Sequence, residues 1–212
     1  MIEITKTEVV GGREAIRGLR TPMTSWDMSD SADASCVWND VDSGFIIGKN
    51  DMELMRRLRN AGTDHRKYLR MIAVYTDINA PLYWWKEYDT YKVGTVANSC
   101  STMHKIHAKE FTMDDFSHEH MEAGAELCMR NTIRYMNSCR ESFLETKGKQ
   151  EWWQMIQLLP SSYNQKRTVM LNYEVLANIY PARQFHKLDE WRFFCDWIET
   201  LPNSELITGV FR

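Results

Sequence analysis

The sequence predicts an α+β fold, and three observations carry that reading. Glu3 to Val10 alternates charged and apolar residues, with Ile2, Ile4 and Val9 as the apolar members, which is the period-two signature of a strand. Lys67 to Asn79 alternates in the same way and is expected to place Leu69, Met71, Ala73 and Tyr75 on one face. Between and after these strands, runs of helical spacing recur at Arg13 to Arg20, Asp51 to Asn60, Thr112 to about Lys147, Glu151 to Leu159 and Leu188 to Leu201.

The first helix follows a break at Gly11-Gly12, and a long segment rich in Ser, Asp and Gly runs from Thr21 to Gly48. Trp26 and Trp38 are expected to anchor that segment, whose length points to a functional or moving loop. Asn50 is expected to cap the helix that begins at Asp51 and turns Met52, Leu54, Met55 and Leu58 inward, and Gly62 marks its stop. Thr112-Met113-Asp114-Asp115 reads as a capping box opening the long helix, with Cys128, Thr132, Tyr135 and Cys139 on its core face. Pro160 ends the helix after it. A chain of 212 residues is long enough for one domain with its own core, and one domain over 1–212 is expected.

Charge and thiols narrow the setting. With 26 basic against 29 acidic residues, the chain has no general field for nucleic acid or an anionic membrane, so neither partner is expected. The five cysteines are odd in number and form no C-x-x-C pair, which argues for reduced thiols in a cytoplasmic protein. No signal peptide is visible, and no apolar run reaches the roughly 20 residues of a membrane span. His118 and His120 stand two apart and would diverge on a helix, and His104 and His107 lack a carboxylate at a telling distance, so no metal site is expected.

One stretch organises the candidate chemistry. Ala80-Pro81 ends the second strand, the four aromatics Tyr83, Trp84, Trp85 and Tyr88 follow, and after Gly94 comes the small polar run Asn98, Ser99, Cys100, Ser101, Thr102. Hydrophobic bulk followed by a hydroxyl- and thiol-rich turn suits a site wall followed by a ligand-gripping loop. It equally suits a buried helix with a capping loop. Further on, Asn172, Asn178 and Arg183 follow Leu159-Pro160 at spacings of six and five along one helical segment, with Pro181 inside it. Asparagines are poor mid-helix residues, which suggests ligand or subunit contacts, or equally structural hydrogen bonding.

These landmarks resemble the flavin-dependent thymidylate synthases, and the resemblance spans most of the chain. In that family an Ala-Pro leads into a helix with an Arg-Gln pair, then Arg-His-Arg, then a loop ending Glu-x-Ser-x-Arg-Tyr. Here Lys86-Glu87 falls on the first pair and Thr90-Tyr91-Lys92 on the triplet. Asn98, Cys100, Thr102 and Met103 fall on the loop's Glu, Ser, Arg and Tyr, and Thr63 stands where the family's turn after Gly62 has a flavin-contacting His. The resemblance implies a twisted, mainly antiparallel sheet packed by helices, and a homotetramer with sites between subunits. It implies FAD as cofactor, with NADPH and methylenetetrahydrofolate as co-substrates, in the conversion of dUMP to dTMP or a related C5 modification of a pyrimidine nucleotide.

Carried over residue by residue, the resemblance assigns Thr63, Tyr91, Lys92, Asn172 and Asn178 to the flavin. It assigns Glu87, Asn98, Ser101, Thr102 and Arg183 to the nucleotide. Several guanidinium groups are lost: Thr90 and Thr102 replace arginines, Glu174 replaces another, and Ile156 stands where an arginine precedes Leu-Pro. Each loss removes a charge-assisted hydrogen bond worth about 1.5–3 kcal/mol, and Glu174 would repel a nearby phosphate. Cys100 replaces a serine beside the pyrimidine, and a thiolate is a far stronger nucleophile than a hydroxyl, so Cys100 is the candidate catalytic residue. A small buried residue in place of serine is the plainer reading of the same substitution. The alternatives for the whole chain are a catalytically inactive homologue that still binds nucleotide or flavin, and a structural oligomer without a small ligand.

Overall fold

The computed structural model describes residues 1–33 and 45–211. The part of the long loop that holds Trp38 and Cys36 lies outside the described residues. In chain order the elements are β1 (Glu3–Val10), α1 (Gly12–Arg20), β2 (Ala32–Asp33), β3 (Phe45–Ile46), α2 (Lys49–Asn60), β4 (Ala73–Pro81), α3 (Leu82–Tyr88) and β5 (Val96–Ser99). They continue as α4 (Ala123–Thr146), α5 (Lys149–Leu158), β6 (Asn164–Asn172), α6 (Tyr173–Arg183), α7 (Asp189–Glu199) and α8 (Glu205–Thr208). The fold is α+β, with a mainly antiparallel four-stranded sheet in the order β1-β4-β6-β5. β2 and β3 form a separate antiparallel pair, Ala32 opposite Ile46 and Asp33 opposite Phe45. Among the described residues no helix is long and apolar enough to cross a membrane.

Contacts divide the chain into two compact units. The first comprises Met1–Thr5, Asp77–Thr90 and Ala97–Val169, the second Lys6–Thr76, Tyr91–Val96 and Met170–Arg212.

In the first unit, α4 packs on α5 around Met129, Ile133, Met136, Cys139 and Met155. Burying each such side chain stabilises by about 1.5–3 kcal/mol. Ile133, Met136 and Cys139 are spaced at i, i+3 and i+6 beyond Met129 at i−4, so the buried stripe lies one position off the expected one. Cys128 and Tyr135 are exposed, and only Cys139 of the expected face is in the core. The capping box at Thr112 and Asp115 is present, but it closes a single 3-10 turn, Met113–Asp115. Phe116 then bridges to Tyr163 as extended chain, so α4 starts only at Ala123.

α3 places Trp84, Trp85 and Tyr88 in the interior, with the Trp84 and Tyr88 rings stacked at 5.1 Å. Pro81 sits at its N-cap, and the Trp85 indole N–H donates to the Gln165 carbonyl at 2.9 Å. β6 carries no simple apolar alternation: Arg167 occupies an inner position, its guanidinium 4.1 Å over the Trp85 ring and its Nη1 donating to Asp89 at 2.7 Å.

In the second unit, α6 is buried almost all round, with Tyr173, Leu176 and Ile179 packed among the apolar side chains of α7 and α8. Gly11 has φ +92°, and a Cβ there would meet the Met71 carbonyl oxygen at 2.1 Å, which fixes glycine at the turn into α1. The second expected strand is shorter than its alternation suggests. Lys67–Met71 forms a 3-10 turn, held where the Tyr68 hydroxyl donates to the Met55 carbonyl at 2.7 Å. β4 then buries Val74, Thr76, Ile78 and Ala80, the face opposite to the expected one, while Met71 and Tyr75 are exposed. A one-residue change of register exchanges the two faces of a strand.

A buried ion pair ties α1 to α2. Arg20 Nε donates to Asp51 Oδ1 at 2.5 Å, and Ser29 and Ser31 hydroxyls donate to Oδ2 at 2.6 Å each. Asp30 takes the N–H groups of Asn50 and Asp51, so α2 is capped from this loop and Asn50 lies inside the helix. Trp26 is half exposed, with its indole N–H donating to the Thr21 hydroxyl at 3.4 Å, so it is no packing anchor. Burial alone would raise the Asp51 carboxyl, but hydrogen bonds from Ser29, Ser31 and Arg20 and the Arg20 charge outweigh it and hold it low. A depressed folded value means that this stability is present above the unfolded carboxyl value of about 4 and is lost as pH falls through the folded one. Asp51→Asn should cost about 3–5 kcal/mol at neutral pH, because it leaves Arg20 buried and unpaired. It should also flatten the acid limb of the stability profile, measured by denaturant unfolding from neutral pH downward.

Candidate functional site

The first unit carries a cavity of about 450 Å³ in which Cys100, Ser101, Lys105, Lys109, Tyr163 and Lys166 converge. Its geometry follows from the end of β5. The segment expected as a loop from Asn98 begins as strand, and Cys100 extends that pairing: its N–H donates to the Lys166 carbonyl at 2.9 Å. Gln165 Nε2 donates to the Cys100 carbonyl at 2.7 Å, fixing both sides of the residue. Ser101 Oγ then accepts from His104 N at 2.9 Å and turns the chain away from the sheet.

Two of the three lysines have acidic partners. Lys109 pairs with Asp115, and that hydrogen bond raises the ammonium value. Lys166 lies 3.3 Å from Asp77, whose other oxygen accepts from the Thr168 hydroxyl at 2.6 Å. Lys105 has no ion-pair partner among the described residues. Burial, then the Asp115 charge, pushes the Tyr163 phenol up, so it stays a neutral donor at physiological pH. Glu3, Asp77, Asp114 and Asp115 share the lining, so its charge is mixed, and a cleft of this volume with ammonium groups and hydroxyl donors is sized for a polar ligand such as a nucleotide. Among the residues expected at the nucleotide, Cys100 and Ser101 line this cavity, Asn98 is exposed on β5, and Glu87 is half-buried on α3. Thr102 is half-buried beside Ser101 but is not among the cavity's lining.

The second unit gathers most of the residues expected at the flavin, together with Arg183. Arg183 Nε donates to the Tyr91 hydroxyl at 2.9 Å, and its guanidinium lies 4.6 Å over the Trp191 ring. Asn172 caps α6, its Oδ1 accepting from Val175 N at 3.0 Å. Gly94, at φ +84°, allows the Tyr91–Gly94 turn to close on that cap: a Cβ would sit 2.7 Å from Asn172 Nδ2. Glu174 is buried and lies 2.9 Å from Arg66 Nε, and Arg66 Nη2 donates to Asn178 Oδ1 at 3.0 Å. Thr63 is exposed in the turn after Gly62, and Lys92 is exposed beside Tyr91.

Sequence reasoning missed Arg66, Trp191 and the three cavity lysines. The only signal for Arg66 was indirect: a glutamate on a helix with no solvent face demands a cation. The lysines are scattered from 105 to 166 and converge only in the fold. Among the described residues no group of three His, Cys, Asp or Glu could hold a metal ion.

No family model matches the chain, and no curated protein matches it by sequence. Solved structures do match over its whole length. The flavin-dependent thymidylate synthase ThyX from Helicobacter pylori, complexed with FAD and dUMP, superposes with a TM-score of 0.71 at 16% identity, over 99% of this chain and 100% of that one. A second structure of that enzyme with the same ligands gives 0.68 at 15% identity, over 99% and 98%. The UMP/dUMP methylase PolB from Streptomyces cacaoi, bound with 5-Br dUMP, gives 0.63 at 12% identity, over 99% and 94%. The chain therefore has the fold of the flavin-dependent thymidylate synthases.

Thiol exposure offers a direct check on the cavity. Cys100 and Cys128 are exposed, whereas Cys139 and Cys195 are buried, with burial pushing the Cys195 thiol up to about 12. N-ethylmaleimide at mildly alkaline pH should label Cys100 and Cys128 in the native protein. Cys139 and Cys195 should label only after denaturation, as read by peptide mass mapping.

Proposed function

We propose that the chain is a divergent flavin-dependent enzyme acting on a pyrimidine deoxynucleotide, converting dUMP to dTMP or making a related C5 modification. The observation that carries this reading is the lysine-lined cavity holding Cys100, the residue that stands where the resembling family has its pyrimidine-side serine. The ligands bound by the structural neighbours, FAD with dUMP and 5-Br dUMP, support the same pair of ligand classes.

In this reading the cavity of the first unit takes the nucleotide. Lys105, which has no ion-pair partner among the described residues, attracts its phosphate, and Ser101 and Tyr163 offer hydroxyls to ring or sugar oxygens. Cys100 adds through its sulfur to C6 of the pyrimidine. The new S–C6 bond uses the thiolate pair, and the C5=C6 pair moves toward O4, which makes C5 nucleophilic. C5 bonds to the methylene carbon of methylenetetrahydrofolate; loss of the C5 proton expels the folate nitrogen and leaves a methylene on C5, and hydride addition to that carbon pushes out the Cys100 thiolate as the C5=C6 bond reforms.

FAD fits the second unit on what its side chains present. The buried Glu174 charge is neutralised by Arg66, Lys92 is exposed, and Asn178 is exposed on α6. Asn172, Asn178, Tyr91, Lys92 and Thr63 would hold the flavin, and Arg183 would hold an oxygen of a nucleotide bound to another subunit of the tetramer. When bound, reduced FAD supplies the hydride that a methylene carbon from methylenetetrahydrofolate needs to become methyl, and NADPH supplies the reducing equivalents. The assembly in this reading is a homotetramer with sites between subunits, in the cytoplasm, with no nucleic acid or membrane partner.

A second reading, a catalytically silent homologue that still binds nucleotide or flavin, is favoured by the threonines at 90 and 102 in place of arginines. Turnover of dUMP separates the two, and visible absorption tests the ligands they share. Protein loaded with FAD and gel-filtered should keep a flavin band, and dUMP should perturb it. Arg183→Ala should weaken dUMP binding about 10- to 100-fold. Cys100→Ser should retain both ligands and lose turnover. A colourless protein that cannot be loaded contradicts the flavin assignment, and full activity in Cys100→Ser removes the thiol from the chemistry.

A further inference from the structure

We propose that Arg66 is a positioning residue that fixes the side-chain amide of Asn178 with its NH2 group outward, so that this point of the site accepts only a hydrogen-bond acceptor from its ligand. The inference rests on the reading above, in which the second unit holds FAD.

The geometry leaves one orientation. A guanidinium can only donate, so the Asn178 atom 3.0 Å from Arg66 Nη2 must be the carbonyl oxygen. That contact settles the amide flip, which heavy-atom positions alone leave open. The two N–H groups of Asn178 Nδ2 then point away from Arg66, and they have no hydrogen-bond partner among the described residues. They can serve a ring carbonyl, a ribityl hydroxyl oxygen or a phosphate oxygen of the flavin dinucleotide. They cannot serve a donor.

Arg66 can hold this role because it is itself held. Its Nε lies 2.9 Å from Glu174 Oε2, and Nη2 also donates to Glu174 Oε1 at 3.1 Å. Glu174 is buried in the first turn of α6, one turn before Asn178, so the carboxylate and the amide lie on one side of the helix. On the other side, the backbone N–H of Arg66 donates to the Gly62 carbonyl at 3.2 Å, in a turn that Gly62 opens at φ +105°. Nη2 thus donates to both the carboxylate and the amide, while Nε lies beside Oε2 without hydrogen-bond geometry, and the Gly62 turn holds the Arg66 backbone. A planar guanidinium aims both Nη2 donors in fixed directions, which a lysine ammonium would do poorly.

Asn178→Asp tests the point, because aspartate keeps the acceptor toward Arg66 and deletes the donor toward the ligand. The melting temperature should stay the same or rise, while the FAD dissociation constant, measured by flavin fluorescence, should increase about 10- to 100-fold. Arg66→Lys should hold the Glu174 pair and most of the stability, yet weaken FAD severalfold by releasing the amide. If wild-type protein binds FAD and Asn178→Asp binds it equally well, the positioning role is wrong and Arg66 serves stability alone. If wild-type protein binds no FAD, the flavin reading and this inference fall together.

Discussion

The second unit depends on one buried carboxylate finding its cation. Glu174 sits in the first turn of α6, a helix with almost no solvent face, and an unpaired charge there would not be tolerated. Arg66 reaches it from the turn after Gly62, so the ion pair fixes that turn against α6. Seen in sequence, a glutamate at this place looks like a repulsive charge at a phosphate site. In the fold its charge is neutralised by Arg66, which reaches it from another part of the chain. Arg59, whose Nη2 donates to the Ile207 carbonyl at 2.9 Å, adds further positive charge and secures α8.

The first unit solves a similar problem differently. Its cavity is not built on arginines in a contiguous motif but on lysines from two places, the 105–109 segment and β6, with Asp77 and Asp115 setting two of them and Glu3 and Asp114 in the same lining. An ammonium on a flexible stem binds anions with less geometric selectivity than a guanidinium fork. A site of this kind suits a nucleotide held by charge and oriented by the hydroxyls and the thiol around it.

How much of this was legible follows from the residues themselves. β1 was read to its bounds, α7 nearly so, and Gly62 and Ala80-Pro81 mark the breaks where glycine and proline chemistry predicts them. β6 was missed because its inner positions include Gln165 and Arg167, and Arg167 packs by stacking on Trp85, which no hydrophobic period reveals. The facing of β4 and α4 was misjudged by one position each, since polar Thr76 and adjacent apolar pairs such as Cys128-Met129 blur the period. Of the candidate site, Cys100 and Ser101 were legible as a polar turn after aromatic bulk, and Tyr91 with Arg183 through the resemblance. The Asn172 cap was hidden by reading Asn172 as mid-helix, when β6 in fact delivers it to the start of α6. Arg66 and the lysines depend on tertiary placement and had no local pattern to announce them.

Native mass spectrometry of the protein incubated with FAD and dUMP tests the central claim most directly. The account predicts an assembly in which each chain carries one flavin dinucleotide and one nucleotide together. A spectrum showing the bare chain at ligand concentrations that saturate a genuine site would contradict it.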